Sequence, residues 1–388
     1  MIDCILIPTV RNEWSALIQL LSDLPRPGLL FGKVTLVLSL DDKWLDEEKG
    51  FLTQIIENSS SSNFFKKIVF ISCDIPPHES VYLREPSKNS PLLKYGQKSG
   101  PNILFFRSIQ KIIELKLCGY SVLLMETDII PLSKNWLDKL NEELNLAQNF
   151  LIAGSRYRGK GKLSKDIVNH INGNAIYNIS NIDFLRFFKL WEYLLIKFIT
   201  YDNNIAYDIA IEYILANKDY FSTEKLIQVK ITELESLYNT RRIYLKSLVN
   251  YSGAYENSDD YSFSANNFYN EFPDCVLLHC KASLPFKTQL RTKYIPEYYN
   301  ISDNLIPLKE YVEIDVRQLK IVENIIESKG KSRQKNKFFI LTCNTRLKLN
   351  EKNFKLQYAQ KPEIFNAVHI ALSNIELHLK HLFLKKFS

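Results

Sequence analysis

The sequence predicts an α/β protein built on a mostly parallel sheet flanked by helices. Three observations point there. Strand-length apolar runs recur through the first 130 residues, at Cys4–Val10, Lys33–Asp42, Lys66–Asp74 and Tyr120–Asp128. Segments with helical spacing fill most of the intervals between them. The runs also start about 30–55 residues apart, room for a crossover helix and too far for hairpins. Strands so spaced form right-handed crossover units and a sheet buried on both faces. Ligands of such sheets bind beyond the carboxyl ends of the strands. Polar residues gather at those ends: Arg11, Asp41, Asp42, Asp74, Glu126 and Asp128.

Each element has a local reason. CILIPTV (Cys4–Val10) is a continuous apolar run and stops at the polar turn Arg11-Asn12-Glu13. Trp14 to Leu24 has the period of an amphipathic helix and ends at Pro25, Pro27 and Gly28. KVTLVLSLDD closes on two aspartates. Leu45 to Glu57 is a helix followed by a serine-rich loop, and KKIVFISCD is the third strand. Ile103 to Leu117 is a long amphipathic helix, and YSVLLMETD is a fourth strand with carboxylates at its end. FLIAGS (Phe150–Ser155) and NAIYNIS (Asn174–Ser180) read as strands, with a basic, glycine-bearing loop between them. Phe184–Ile199 and Ala206–Leu215 read as helices, Tyr251–Asn270 as a polar loop, and CVLLHCK as a last short strand. The body is expected to finish near Leu290. A mainly helical, basic C-terminal extension follows, with a helix over Tyr311–Glu327, the basic run KGKSRQKNK and an amphipathic end over Ile364–Phe387.

Composition sets bounds. The chain has 388 residues, 46% of them apolar and 24% charged. That suits two or three domains, or one large domain with an appendage. Gly and Pro are few, which excludes collagen-like and low-complexity classes. The net charge of +7 is uneven. Residues 301–388 carry 16 Lys/Arg against 9 Asp/Glu, so the first 300 residues are neutral. A nucleic-acid-binding body is therefore disfavoured, because phosphate contacts need the charge on the main domain. The basic tail suits an anionic membrane surface or an acidic partner, or packs on the body or on a second subunit. Six scattered cysteines form no CxxC pair and read as buried free thiols of a reducing compartment. MIDCILIPTV lacks the basic flank of a secretory signal, and no uncharged apolar stretch reaches 18 residues. The expected location is the cytoplasm, with at most peripheral membrane contact.

The strongest chemical feature is Glu126-Thr127-Asp128, just after an apolar strand. Residues i and i+2 of a strand share a face, so the two carboxylates project together while Thr127 turns away. Carboxylates that close repel unless a cation sits between them. A hard divalent ion, Mn²⁺ or Mg²⁺, is the natural occupant. Solvated acids at a strand end are the competing reading. A second apolar strand ends in His279-Cys280-Lys281. Its imidazole can complete a metal's ligand set, and Lys281 can neutralise phosphate charge.

With these residues in hand, the chain resembles the glycosyltransferases of the GT-A fold. The likeness spans roughly Met1 to Pro285 and rests on Glu126-Thr127-Asp128 and on LLHCK. The family pattern is Asp-x-Asp, so the leading Glu is a departure, and Asp128 is the firmer ligand. The resemblance implies a Rossmann-type nucleotide-sugar-binding half over residues 1–150. An acceptor-binding half over 151–290 and the basic extension over 291–388 follow. It places the nucleotide beside Thr9, Arg11, Asp41 and Asp42, each equally readable as strand-end capping. Lys98, in the loop before the long helix, would reach the diphosphate or the sugar. Asn172 and Asn174 would meet sugar hydroxyls, although Asn-Gly is also a common hairpin turn. An inverting transfer needs a base for the acceptor hydroxyl. Asp208, in the first turn of an apolar helix, fits that role, with Asp202 as the alternative.

The implied function is a metal-dependent transfer of a sugar from a nucleotide-diphosphate donor to a hydroxyl of a glycan or lipid-linked acceptor. Two alternatives stay open. A nucleotidyltransferase also pairs carboxylates on such a sheet, but it would carry a Gly-rich basic loop after the first strand, and PTVRNEW has no glycine. A non-catalytic glycan-binding or scaffold protein on the same body is the other.

Overall fold

A computed structural model describes residues 1–294, apart from 26, 29–33, 60, 84–92, 147–148, 160–162, 252–263 and 281–283, together with 345–349 and 354–358. The N-terminal half alternates β1 (Ile2–Thr9), α1 (Trp14–Asp23), β2 (Val34–Leu40), α2 (Asp46–Glu57), β3 (Phe65–Ser72), α3 (Ser99–Glu114) and β4 (Ser121–Leu124). The four strands pair in parallel, in the order β3-β2-β1-β4. Alternation along β1 explains why the sheet is covered twice. Cys4 and Leu6 join the core with α3, whereas Ile5 and Ile7 join the core with α1 and α2. Every residue of β2 is buried, as its unbroken apolar run requires.

The second half continues with β5 (Ile129–Pro131), α4 (Trp136–Asn145), β6 (Ile152–Gly154), α5 (Lys165–Asn169) and β7 (Ala175–Tyr177). Then come α6 (Phe184–Phe198), α7 (Tyr207–Ala216), α8 (Lys225–Arg241), β8 (Arg242–Tyr244) and β9 (Leu248–Asn250). The body closes with α9 (Ala265–Glu271), β10 (Leu277–His279) and α10 (Leu284–Tyr294). β7 joins β4 antiparallel, β6 joins β7 antiparallel, and β8 joins β6 in parallel. The result is a seven-stranded, mostly parallel sheet, β3-β2-β1-β4-β7-β6-β8. A three-stranded sheet, β5-β10-β9, stands beside it. Helices α3, α6, α7 and α8 share one large core, in which Phe105, Phe106, Phe188 and Trp191 interlock.

The structure departs from the expected element bounds in several places. The strand expected to run to Asp128 stops at Leu124 and restarts as β5 in the other sheet. Met125 still donates its N–H to Leu6, at 2.8 Å, and the chain then turns away. Helix α3 begins at Ser99, ahead of its first apolar residues, because Ser99 is tied to the carbonyl of Glu79 and Gly100 N–H to that of Val81. Part of the expected 251–270 loop is helical. Ser264 caps α9 by accepting the Asn267 N–H at 3.1 Å. The body also runs on past Leu290. Leu290 is buried in the third core, and Arg291 pairs with Asp23 at 2.9 Å.

In the extension, β11 (Thr345–Leu349) and β12 (Phe354–Tyr358) form an antiparallel ladder. The helical stretches expected at 311–327 and 364–387 and the basic run at 329–337 lie outside the described residues. Among the described residues, no helix is long and apolar enough to cross a membrane.

Candidate metal centre

The short link between β4 and β5 carries Glu126 and Asp128 from one sheet to the other. β10 pairs antiparallel with β5, and its last residue, His279, is in register with Ile129. The imidazole therefore lands on the two acids. His279 Nε2 is 3.3 Å from Asp128 Oδ1 and 3.4 Å from Glu126 Oε2. One ligand atom from each of the three residues lies within 4.8 Å of the others. The strand-alternation argument brings the acids together for a different reason from the one observed. They sit in a turn, and a second sheet supplies the histidine.

Buried polar groups hold this cluster. Asn174 is fully buried; its Oδ1 accepts the Glu126 N–H at 2.7 Å, and its Nδ2 donates to Glu126 Oε2 at 2.8 Å. The same Nδ2 donates to Asn172 Oδ1 at 2.9 Å. On the other flank, Asn250 Oδ1 is 3.0 Å from His279 Nδ1. Thr127 Oγ1 donates to Glu13 at 3.1 Å, which fastens the turn to the loop after β1. Gly173 is required by crowding. A Cβ there would lie 2.1 Å from the Tyr207 hydroxyl and 3.1 Å from Glu126 Oε1. Tyr207 itself stacks on Phe105, with centroids 4.1 Å apart, and places its hydroxyl 3.5 Å from Glu126 Oε1.

The electrostatics suit a cation. Removal from water raises the Glu126 carboxyl to about 7. The His279 cation opposes that shift, and Asp128, Asp208 and Glu13 add to it. For His279, burial favours the neutral ring, but Asp128 and Glu126 outweigh it and raise the imidazole to about 9. Two carboxylates and one imidazole make an oxygen-rich donor set with two negative charges. That chemistry fits Mn²⁺ or Mg²⁺, so the residues present match the implied ion.

Asp208 lies in the first turn of α7, as its sequence position predicts. His170 Nε2 is 3.5 Å from Asp208 Oδ2, and His170 Nδ1 meets the Ile167 carbonyl. Burial pushes the Asp208 carboxyl up, but the bond and charge of His170 overcome this and hold it below the usual value. Asn102 anchors the start of α7 by accepting the Tyr207 N–H at 2.6 Å while donating to the Ile205 carbonyl at 3.0 Å. Asp202 accepts the Asn204 N–H at 2.9 Å, a local turn bond before α7.

The remaining candidates follow the strand ends. Thr9 is buried at the end of β1. Arg11 reaches across to the end of β2, where it meets Asp42 at 3.4 Å, buried Glu48, and the Lys43 carbonyl at 2.6 Å. Asp41 accepts the Ser80 hydroxyl at 2.6 Å, and burial raises its carboxyl. The Lys98 ammonium sits 4.9 Å from the centre of the Tyr82 ring. Lys281 lies outside the described residues. The structure thus brings Glu126, Asp128 and His279 together, with Asn174 on Glu126 and Asn172 behind Asn174, and gathers Arg11, Asp41 and Asp42 at the neighbouring strand ends.

Sequence alone gives no role to His170, Tyr207, Asn250 or Glu13. Asn250 ends a three-residue strand, too short for a periodic signal. The aromatic opening of α7 was the one available hint for Tyr207. Elsewhere, a groove of about 680 Å³ runs between α6 and α8, lined by Leu185, Arg186, Tyr193 and Lys230 among others. It shares no residue with the acidic cluster.

No protein-family model and no curated protein matches the chain. Solved structures similar to it include mouse xyloside xylosyltransferase 1 in its apo form, at 12% identity and a TM-score of 0.39, over 72% of this chain and 97% of that one. The apo WbbM bifunctional glycosyltransferase matches at 12% identity and a TM-score of 0.38, over 72% of this chain and 45% of that one. The mannosyltransferase Ktr4p of S. cerevisiae matches at 13% identity and a TM-score of 0.33, over 54% and 64%.

Proposed function

We propose that this chain is a metal-dependent glycosyltransferase. It would move a sugar from a nucleotide-diphosphate donor to a hydroxyl of a glycan or lipid-linked acceptor. The observation that carries the reading is the convergence of Glu126, Asp128 and His279 at the carboxyl edge of a mostly parallel sheet. Open α/β sheets bind ligands at that edge.

Asp128, Glu126 and His279 would hold Mn²⁺ or Mg²⁺, which stabilises the charge of a departing diphosphate when bound. The protein's own residues do the rest. Thr9, Asp41 and Asp42 line the strand ends where the nucleoside would rest. Arg11 ties two of those ends together through Asp42 and Glu48. Lys98 would approach the donor from the loop before α3.

Asp208 is the candidate base of an inverting transfer, with Asp202 second. The His170 contact keeps Asp208 ionised near neutral pH, the state that accepts a proton from an acceptor hydroxyl.

Nucleotide release from a panel of UDP-, GDP-, CMP- and dTDP-sugars, with Mn²⁺ or with EDTA, tests the reading. The expected result is release from one nucleotide class, dependent on Mn²⁺ and abolished in Asp128→Ala. Equal release by Asp128→Ala would overturn it.

A further inference from the structure

We propose that Asn174 and Asn250 are positioning residues that aim the ligands of the metal centre, an inference that rests on the metal-dependent reading above. Both side chains are inaccessible, at 0% and 1% exposure. A buried amide must find partners for its polar atoms. These two find them on the metal-binding side chains.

Asn174 grips Glu126 at two points, the backbone N–H and the carboxylate. One residue thus fixes both the turn and the carboxylate's direction. Asn172 holds the amide in place by accepting from both its Nδ2 and its backbone N–H, at 2.9 and 3.1 Å. Asn250 takes the other flank. Its Oδ1 receives the Nδ1–H of His279, which leaves Nε2 facing Asp128 and Glu126. Asn250 is itself held by its backbone, whose N–H donates to Ser155 Oγ at 3.1 Å. In sequence, Asn174 precedes β7 and Asn250 ends β9, so each amide is carried by a different sheet.

The choice of amides has a chemical consequence. A carboxylate at 250 could still accept from His279 but would add a third negative charge, and one at 174 would have no N–H to give Glu126 and would repel it. With amides the centre keeps the two charges of Glu126 and Asp128, which a divalent ion cancels. Outer partners of this kind typically change metal affinity by roughly 10–100-fold when removed.

The test is a titration of the full chain with Mn²⁺ alone, with free Mn²⁺ read by electron paramagnetic resonance. Asn174→Ala and Asn250→Ala are expected to weaken binding by roughly 10–100-fold. Asn250→Asp keeps an oxygen for the Nδ1–H and is expected to recover most of the affinity lost in Asn250→Ala. Circular dichroism and melting in EDTA confirm the fold of each variant. Asn250→Leu, branched at the same carbon and lacking the acceptor, carries the same test if Asn250→Ala does not fold. Wild-type affinity in both alanine variants, with binding lost in Asp128→Ala, would overturn this inference and leave the metal centre standing. Absence of Mn²⁺ binding by the wild type would instead remove the metal reading, and this inference with it.

Discussion

His279 and Asp128 lie far apart in sequence, yet their Nε2 and Oδ1 atoms are 3.3 Å apart because of one ladder of three residue pairs. β5 begins at Ile129, directly after Asp128, and β10 ends at His279, so the antiparallel register sets the imidazole over the acids. A slip of one residue would turn His279 to the opposite face. The centre therefore depends on the small sheet as much as on the large one.

The first prediction concerns pH. In the metal-free protein His279 is raised from 6.5 to about 9 and Glu126 from 4.5 to about 7. Both folded values exceed the unfolded ones, so the folded state holds extra protons between pH 4.5 and 9. The contribution of His279 is fully present below 6.5 and is lost as pH rises through about 9. Its ceiling is about 3 kcal/mol. The penalty from Glu126 is absent below 4.5 and is fully felt above about 7. Melting in EDTA should therefore decline from pH 6 to 9 more steeply in the wild type than in His279→Ala. Mn²⁺ needs the neutral ring and the ionised carboxylate, so the stabilisation it confers should grow over the same range. An unchanged slope in His279→Ala would contradict the assignment.

Gly173→Ala should damage the centre more than the fold. The added methyl meets the Tyr207 hydroxyl and Glu126 Oε1. Tyr207 has little room to retreat, because it is stacked on Phe105. Overpacking of this kind costs about 1–3 kcal/mol. Calorimetric titration with Mn²⁺ should show affinity reduced by about tenfold or more, as for a disturbed outer partner. Wild-type affinity would show that Gly173 only fills space.

Removal of His170 should leave the Asp208 charge buried without its partner. Breaking a buried pair typically costs about 3–5 kcal/mol. His170→Ala should therefore melt earlier, and His170→Ala/Asp208→Asn should recover part of the loss. Both singles should lower kcat with little change in the donor KM, since neither touches the metal-binding side chains. Additive losses in a double-mutant cycle would show that the two residues act independently.

Phe105→Ala should be among the costly core truncations, at about 3–5 kcal/mol. Phe105 touches Tyr177, Phe188, Trp191 and Tyr207. Denaturant unfolding should show the loss with an unchanged m-value if the native state stays compact.

Much of the parallel half is legible in the sequence. β1 and β2 are unbroken apolar runs, and such runs read clearly when a strand is buried on both faces. Of the later strands, β6, β7 and β10 lie inside apolar runs that read as strands, whereas β5, β8 and β9, three residues each, carry no period. α8 is missed because its buried positions, Ile227, Ile231, Leu234 and Tyr238, are separated by charged residues and by exposed Leu226 and Val229. The acids and His279 stand out because each follows an apolar strand. Their outer partners do not. Asn250 and His170 reach their neighbours only through tertiary contacts, and Asn174 is indistinguishable in sequence from a turn residue.

The most direct test of the central claim is thermal melting of wild type and Asp128→Ala with each nucleotide sugar, with and without Mn²⁺. A ligand at about 100 times its Kd stabilises by about 2.7 kcal/mol. The account predicts that one nucleotide class raises the melting temperature of the wild type only when Mn²⁺ is present, and that Asp128→Ala shows no rise. A rise of equal size in Asp128→Ala, or no rise with any donor, would contradict it.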